Sequence, residues 1–209
     1  ANMTKFPLLA QPGTEWNYSA GPDVLCVLIE KFSGMSVNEF LKSRLFEPLE
    51  MKHTGYNVPK EEQAKIVALH TKGKNGTISV AANQPPFENV TVWSGVNGLF
   101  STAADYATFC QMMLAGGTYK GKQYLSRKTV ELMTSNHTGN LFPQLPGTGW
   151  GLGFAVVTDG PATKTPASKG LFFWGGANNT HFFIDPKEKL IGLFMTQESH
   201  FTWEYHNSL

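Results

Sequence analysis

The sequence is poor in cysteine, and its positive and negative charges nearly cancel. It contains two cysteines, Cys26 and Cys110, and neither has the paired spacing of a metal-binding or redox motif, so both are expected to be buried thiols. Seventeen Lys and Arg residues against sixteen Asp and Glu residues leave a formal net charge of +1. No basic run is long enough to follow a phosphate backbone, so the sequence predicts no nucleic-acid partner.

Long apolar runs and the common cofactor motifs are also missing. No apolar stretch approaches the ~18 residues that a membrane-spanning helix needs, so we expect no membrane span. The six histidines show no His-x-x-x-His spacing, which argues against a metal site. Gly-x-Ser-x-Gly, a phosphate-binding loop and a dinucleotide-binding glycine loop are all absent. The commonest hydrolase, kinase and dehydrogenase classes are thereby excluded, and no cofactor is predicted.

The composition is that of a globular protein. Hydrophobic residues make up 41% of the chain and charged residues 16%, which is typical neither of disordered nor of fibrous proteins. A length of 209 residues is compatible with one large or two small domains, and we interpret it as one.

Helical patterns fill the first part of the chain and strand patterns the last part. Apolar residues at helical spacing predict a helix from Val24 to Phe32, which Gly34 ends. Ser36-Val37-Asn38-Glu39 spells a capping box before a second helix, and a third helix is predicted from Ala103 to Ala115. Short apolar runs separated by turn residues predict strands at Trp150 to Val157, Leu171 to Trp174, Thr180 to Ile184 and Leu190 to Thr196.

The predicted fold class is therefore α/β of the α+β type, with an antiparallel sheet packed against helices. We expect a helical part over about residues 1–148 and a sheet part over about residues 149–200. The segment from Asp185 to Lys189 is interpreted as the hairpin connection between the last two strands.

Tyr18 stands at the centre of a turn-rich segment that leads directly into the first predicted helix. Gly21-Pro22-Asp23 indicates an abrupt helix start, with Gly21 as the cap and Pro22 as the first helical residue. A phenol immediately before a helix N-terminus can serve chemistry. It can equally anchor a loop through its ring and its hydroxyl, and the sequence leaves both interpretations open.

Gly175 and Gly176 lie at the end of a predicted strand. Glycines weaken a strand unless the backbone must approach another group closely, and a ligand is one such group. A backbone N–H just past the two glycines can point at a developing oxyanion. The alternative is a bulge packed against a helix.

Motifs along nearly the whole chain resemble, in family order, those of the β-lactamase-related serine hydrolases. The resemblance is closest to the carboxylesterases of that fold and extends to class C β-lactamases and D-amino-acid peptidases. The matching segments are Pro12-Gly13-Thr14-x-Trp16-x-Tyr18-Ser19, Asp23-Val24-Leu25, Phe46-Glu47-Pro48-Leu49-x-Met51, Gly98-Leu99-x-Ser101-Thr102, Glu131-Leu132-Met133-Thr134, Trp174-Gly175-Gly176, Asp185-Pro186 and Met195-Thr196-Gln197.

This resemblance implies a Ser-x-x-Lys nucleophile, a tyrosine that shares proton transfer with that lysine, and a third motif on a strand. Tyr18 matches the tyrosine and is the implied catalytic residue. Trp174-Gly175-Gly176 takes the place of Lys-Thr-Gly in β-lactamases, and the Ala177 N–H falls where the second oxyanion donor would be. Asn97 stands roughly where β-lactamases have a substrate-facing aromatic. The tryptophan form is similar to that of esterases and argues against penicillin as the main substrate.

The sequence departs from the family pattern in three places. No Ser-x-x-Lys occurs in the 209 residues, and Asn2-Met3-Thr4-Lys5 has Asn in the serine's position and lies too close to the tyrosine. Ala20 stands where many relatives have Asn. The chain ends at Leu209, where the family continues into a helix that covers the sheet. We therefore expect a C-terminal portion of the family's domain, incomplete at both ends and inactive by itself.

The expected function is serine hydrolysis of small carboxylic esters through an acyl-enzyme, with a small-molecule ester as the partner. Two alternatives within the same class are a β-lactamase and a D-amino-acid peptidase. A third is a non-catalytic binding protein of the same fold. The sequence does not indicate the compartment or the oligomeric state.

Overall fold

The computed structural model describes residues 5–142 and 144–204. Helices occupy mainly its first part. They are α1 (Gly21–Ser33), α2 (Val37–Leu41), α3 (Ala103–Leu114), α4 (Arg127–Met133) and α5 (Gly160–Thr163). A π-helical turn, Lys42–Phe46, continues α2, and a 3-10 helix spans Lys60–Lys65. None of the described helices combines the length and apolar character that crossing a bilayer requires.

The largest sheet has five antiparallel strands in the order β5-β6-β7-β8-β9. Sequential strands are neighbours throughout, so the sheet is a meander. Its strands are β5 (Thr148–Trp150), β6 (Ala155–Val157), β7 (Phe172–Gly176), β8 (Thr180–Asp185) and β9 (Leu190–Met195). Two small hairpins precede it, formed by β1 (His70–Lys72) with β2 (Ile78–Val80) and by β3 (Thr118–Tyr119) with β4 (Lys122–Gln123).

The predicted fold class is confirmed, but the prediction of a single strand from Trp150 to Val157 is wrong. This segment contains the last residue of β5, a turn, and β6. The Gly151 N–H donates to the Phe154 carbonyl at 2.8 Å, and Gly153 has φ of +92°. Glycine accepts that backbone conformation without a steric penalty, so the chain reverses inside what the sequence presents as one apolar run.

The helix ends show the predicted capping chemistry with one difference. Ser36 and Glu39 form the capping box, with the Glu39 N–H donating to the Ser36 hydroxyl oxygen at 3.2 Å. Gly34 ends α1 with φ of +70°. The cap of α1 is Ala20 rather than Gly21. The helix starts one residue earlier than predicted because the Ser19 hydroxyl accepts the Gly21 N–H at 3.3 Å.

The core lies on both faces of the five-stranded sheet. Side chains alternate between the faces along each strand, so Phe172 and Phe173 belong to different clusters. The cluster on the helical side contains Phe46, Leu49, Met51, Cys110, Met112, Met113, Val130, Phe154, Val156, Phe172, Phe182 and Ile184. The cluster on the other side contains Phe142, Ala155, Val157, Leu171 and Phe173.

Cys26 and Cys110 are buried free thiols, as predicted. Burial raises the pKa of the Cys110 thiol to about 12. Burial, with Asp23 nearby, also raises the pKa of the Cys26 thiol. Both thiols are therefore kept in the unreactive protonated form at neutral pH.

Helix α1 is turned differently from what its apolar spacing indicates. Cys26 is its buried residue and packs with Val37 and Tyr56. The predicted apolar stripe is largely exposed, with Leu25 at 58% and Phe32 at 80% of their maximal accessible surface. Periodicity marks which side chains share a face, but it does not determine which face the fold covers.

Candidate active site

The fold brings Tyr18 and Trp174 into direct contact. The Trp174 indole Nε1 donates to the Tyr18 phenol oxygen at 3.4 Å, and the two ring centroids are 5.9 Å apart. The segment before α1 and the end of β7 therefore meet at one place. They are the two stretches on which the sequence places a candidate catalytic residue and a candidate oxyanion donor.

Tyr18 is held by its neighbour Trp16. Trp16 packs into the second face of the sheet, with ring centroids 4.8 Å from Phe142 and 5.5 Å from Trp150. Tyr18 follows two positions later in a segment without regular secondary structure and keeps 67% of its surface exposed. An anchored backbone with an exposed phenol is suited to contact with a ligand. The Trp174 contact also fits the anchoring interpretation, so placement alone does not distinguish the two roles.

Trp174 lies where β7 extends beyond its neighbour β6. Strand β6 pairs with β7 only at Phe172 and Phe173, whereas β8 pairs with β7 as far as Gly176. Within the described residues, the part of β7 from Trp174 to Gly176 therefore has a strand partner on one edge only. Backbone donors and acceptors on an edge without a strand partner are open to an extended ligand.

The two glycines of β7 lie against side chains from β8 and from the segment after β9. A Cβ on Gly175 would lie 2.9 Å from both His181 Nδ1 and Phe201 Cε2. A Cβ on Gly176 would lie 2.3 Å from Thr180 Oγ1. These glycines therefore allow close packing across the sheet. The predicted alternative of a bulge against a helix is not what the described residues form.

Ala177 begins the turn between β7 and β8 and is exposed. Its N–H has no hydrogen-bond acceptor within residues 5–142 and 144–204. The turn is closed instead by Asn179, whose N–H donates to the Gly176 carbonyl at 2.9 Å. The Ala177 amide can thus donate to a ligand without breaking a bond of the fold.

His181, on β8, is paired with Gly175 of β7 in the sheet, and its ring packs closely against Gly175. Only 2% of its surface is exposed, and its ring lies 5.4 Å from the Phe201 ring. Burial lowers the pKa of the imidazole because the charged form loses its hydration. The ring under the candidate strand is therefore neutral at physiological pH.

Asn97, the remaining predicted site residue, does not line this contact. It is exposed and borders a separate groove of about 410 Å³ beside α1, together with Pro22, Leu25 and Tyr56. Neither Tyr18 nor Trp174 lines that groove. The structure thus unites Tyr18 with the strand motif and places Asn97 next to α1.

Sequence reasoning missed the residues that support the site. Trp16 was recognised as part of a motif but not as the anchor of Tyr18. Trp150, whose ring centroid lies 4.5 Å from that of Trp174, was not recognised at all. The sequence signal that could have indicated them is the position of the tryptophans. Trp16 lies two positions before Tyr18, and Trp150 lies between two glycines.

The described part of the site offers hydrogen-bond donors to a ligand. No described lysine or arginine forms a hydrogen bond or ion pair with Tyr18. The described residues also contain no group of three or more His, Cys, Asp or Glu that could hold a metal ion. The phenol hydroxyl of Tyr18 and the backbone N–H of Ala177 are therefore the groups of this part of the chain that could bond to a ligand.

Comparisons with known proteins identify the family and the fold. The Beta-lactamase family model matches residues 1–207. An uncharacterized protein of Mycobacterium tuberculosis is 31% identical over 211 aligned residues, which cover 94% of this chain and 52% of that protein. An Escherichia coli K12 protein named "Putative D-alanyl-D-alanine carboxypeptidase" is 26% identical, with 95% of this chain and 48% of that protein covered. The chain spans about half the length of these relatives.

Two solved structures show the same fold. EstCE1, described as a hydrolase with promiscuous acyltransferase activity, superposes with a TM-score of 0.79 at 23% identity and covers 92% of this chain and 54% of its own. Simvastatin synthase (LovD) from Aspergillus terreus superposes with a TM-score of 0.76 at 21% identity and covers 92% of this chain and 52% of its own. With the family model matched over almost the whole sequence and the fold shared with these enzymes, the chain belongs to the Beta-lactamase family, whose members are serine hydrolases.

Proposed function

We propose that these residues form the tyrosine and strand side of an active site that hydrolyses small, uncharged carboxylic esters through an acyl-enzyme. The observation that carries the proposal is the contact between Tyr18 and Trp174 at the open edge of β7. It puts a phenol and a free backbone N–H, that of Ala177, on neighbouring segments.

The chemistry assigns one role to each group. A Ser-x-x-Lys serine, which these 209 residues do not contain, attacks the ester carbonyl carbon. The lysine of Ser-x-x-Lys takes the phenol proton of Tyr18, and the Tyr18 phenolate then takes up the serine proton and gives it to the departing alkoxide. The Ala177 N–H donates to the oxyanion that forms on the carbonyl oxygen. Water then hydrolyses the acyl-enzyme by the same proton transfers.

The uncharged character of the site supports ester substrates over the alternatives. β-Lactams and D-alanyl peptides carry a carboxylate, which proteins bind with arginine or lysine donors. At the end of β7 the side chain is an indole, Trp174, and among the described residues no cation bonds to Tyr18. An apolar ester loses less hydration on entering such a site than a carboxylate does.

A D-amino-acid peptidase is the second candidate. The Escherichia coli relative with that type of name aligns over 95% of this chain. A peptidase would have to bind the substrate carboxylate with a group outside the described residues. Acyl transfer, the second activity attributed to EstCE1, would use the same acyl-enzyme with another acceptor in place of water.

The test uses a polypeptide that joins these 209 residues to a segment carrying Ser-x-x-Lys. We expect it to hydrolyse 4-nitrophenyl acetate or butyrate with a kcat/KM at least about 100-fold above that for nitrocefin or a D-alanyl-D-alanine peptide. A higher kcat/KM for nitrocefin or for the peptide would overturn the ester assignment. Absence of hydrolysis with all three substrates would favour a non-catalytic binding protein.

A further inference from the structure

Asp23 ties the start of α1 to the loop of residues 94–98. Its carboxylate oxygen Oδ1 accepts the Gly95 backbone N–H at 2.7 Å and the Ser94 hydroxyl at 2.9 Å. Hydrogen bonds to an ionised carboxylate are roughly twice as strong as neutral ones. The carboxylate therefore connects two segments that lie 71 positions apart in the sequence.

Two further contacts hold the same loop. The Tyr56 hydroxyl donates to the Ser94 carbonyl at 2.6 Å. A Cβ on Gly95 would lie 2.4 Å from the Pro22 carbonyl oxygen and 2.9 Å from Cys26 Sγ. The backbone of the loop thus rests directly on the first turns of α1, with no room for a side chain.

The Asp23 carboxylate, which bonds to the loop, lies close in sequence to the candidate catalytic residue Tyr18. Asp23 follows Tyr18 by five positions, and its own N–H donates to the Ala20 carbonyl at 3.0 Å, which closes the turn from Ala20 to Asp23 at the start of α1. Beyond Gly95, Val96 and Asn97 line the groove beside α1. A loop held in this way keeps a constant position relative to α1.

We propose that Asp23 is a positioning residue that fixes the 94–98 loop against α1, so that Val96 and Asn97 shape the groove beside α1 and this groove, separate from the contact between Tyr18 and Trp174, binds a part of the substrate remote from the reacting ester. The consequence for substrate binding rests on the proposed function, whereas the placement of the loop by Asp23 is independent of it. An acidic residue in the first helical turn also stabilises α1 through the helix dipole, and the test must separate that effect from loop placement.

Hydrogen exchange on the 209-residue chain measures the placement directly. Asp23→Ala is expected to accelerate amide exchange at residues 95–98 at least about 10-fold, because both bonds to the loop are lost, while exchange in β7 to β9 stays unchanged. Asp23→Asn keeps an oxygen acceptor and should accelerate exchange less than about threefold. Unchanged exchange in the loop, or equal acceleration throughout the chain, would overturn the proposal.

Two variants test the loop while leaving the carboxylate and its helix-dipole effect in place. Ser94→Ala removes the bond from the Ser94 hydroxyl to Asp23 and also the bond that the Val96 N–H donates to this hydroxyl, so the readout is the Gly95 amide, whose exchange should accelerate to an intermediate degree. Gly95→Ala pushes the loop away from Pro22 and should reproduce the effect of Asp23→Ala. Either variant keeps the proposal testable if Asp23→Ala does not fold, and an unaltered loop in both would contradict it.

Kinetics test the consequence for substrate in the polypeptide that contains Ser-x-x-Lys. Asp23→Ala should raise KM for 4-nitrophenyl butyrate about 5- to 10-fold with kcat lowered less than about threefold, and Asp23→Asn should restore most of the loss. A loss confined to kcat would contradict the assignment of the loop to substrate binding. If the unmodified polypeptide hydrolyses no ester, the proposed function fails, while hydrogen exchange still decides the role of Asp23 in placing the loop.

Discussion

The indole Nε1 of Trp174 lies 3.4 Å from the phenol oxygen of Tyr18, although 156 positions separate the two residues. An indole N–H can only donate, so the phenol oxygen is the acceptor and the phenol proton stays free for another partner. A donor directed at this oxygen also stabilises negative charge that develops there during proton transfer. The contact therefore suits a tyrosine that both takes up and returns a proton.

Replacement of Tyr18 by Phe tests this role in the polypeptide that contains Ser-x-x-Lys. The ring contacts with Trp16 and Trp174 remain possible, whereas the proton-transferring oxygen is lost, so we expect kcat to fall about 100-fold or more with the melting temperature nearly unchanged. Tyr119→Phe, in β3, is the matched control and should keep full activity. An unchanged kcat in Tyr18→Phe would leave Tyr18 as a structural anchor.

Trp174→Phe separates the hydrogen bond from the aromatic packing. The phenyl ring keeps part of the contact with Trp150, but the donor to Tyr18 is gone, and we expect kcat/KM to fall about 3- to 10-fold. Combined with Tyr18→Phe, the second substitution should add almost nothing, because the bond is already missing. Fully additive losses in this double-mutant cycle would show that Trp174 acts independently of Tyr18.

A fluorophosphonate probe tests whether these residues contain a reactive serine. Because no Ser-x-x-Lys is present in the 209 residues, we expect no covalent labelling of this chain, measured by intact mass. The polypeptide extended by a Ser-x-x-Lys segment is the positive control. Stoichiometric labelling of the 209 residues alone would show that another side chain serves as nucleophile.

Gly176→Ala tests the close approach at the end of β7. The added methyl would lie 2.3 Å from Thr180 Oγ1, so we expect the free energy of unfolding in urea to fall by about 1–3 kcal/mol. Removal of the hydroxyl in Gly176→Ala/Thr180→Ala should recover part of this loss. Gly21→Ala is the control, since its new methyl meets Ser19 Oγ only at 3.7 Å and should cost little. Equal stability of Gly176→Ala and the unmodified chain would refute tight packing here.

The buried His181 predicts how stability depends on pH. Its pKa is lowered in the folded state, so below the ordinary value of about 6.5 the unfolded chain takes up a proton that the folded chain does not. The free energy of unfolding should therefore decrease from pH 7 to pH 5. Above pH 7 both states hold a neutral His181, so this residue should cause no further change with pH. His181→Phe keeps a ring beside Phe201 and should flatten the dependence. His137→Gln, at an exposed position, should not, and an unchanged slope in His181→Phe would disprove the assignment.

Local chemistry allowed much of the fold to be predicted. The capping box at Ser36 and the glycine at Gly34 set helix ends through bonds within a few residues, and such signals can be read from the chain alone. The turn inside Trp150 to Val157 was missed because its glycines lie within an apolar run. The exposed stripe of α1 was missed because spacing alone does not reveal what a helix packs against.

The candidate site was predicted only in its principal residues. Tyr18 and Trp174-Gly175-Gly176 were found through motifs, and the structure brings them together. Their roles in catalysis remain predictions. The tie from Asp23 to Ser94 could not be predicted, since a contact across 71 positions depends on how the segments pack and leaves no local pattern.

The exposed face of α1 has a practical consequence for work with these 209 residues. Leu25 and Phe32 are more than half exposed on this face and line an open apolar groove of about 600 Å³. Exposed apolar surfaces of this kind promote self-association at high protein concentration. The chain is therefore best purified at low concentration. Phe32→Lys should reduce its self-association without changing the contact between Tyr18 and Trp174.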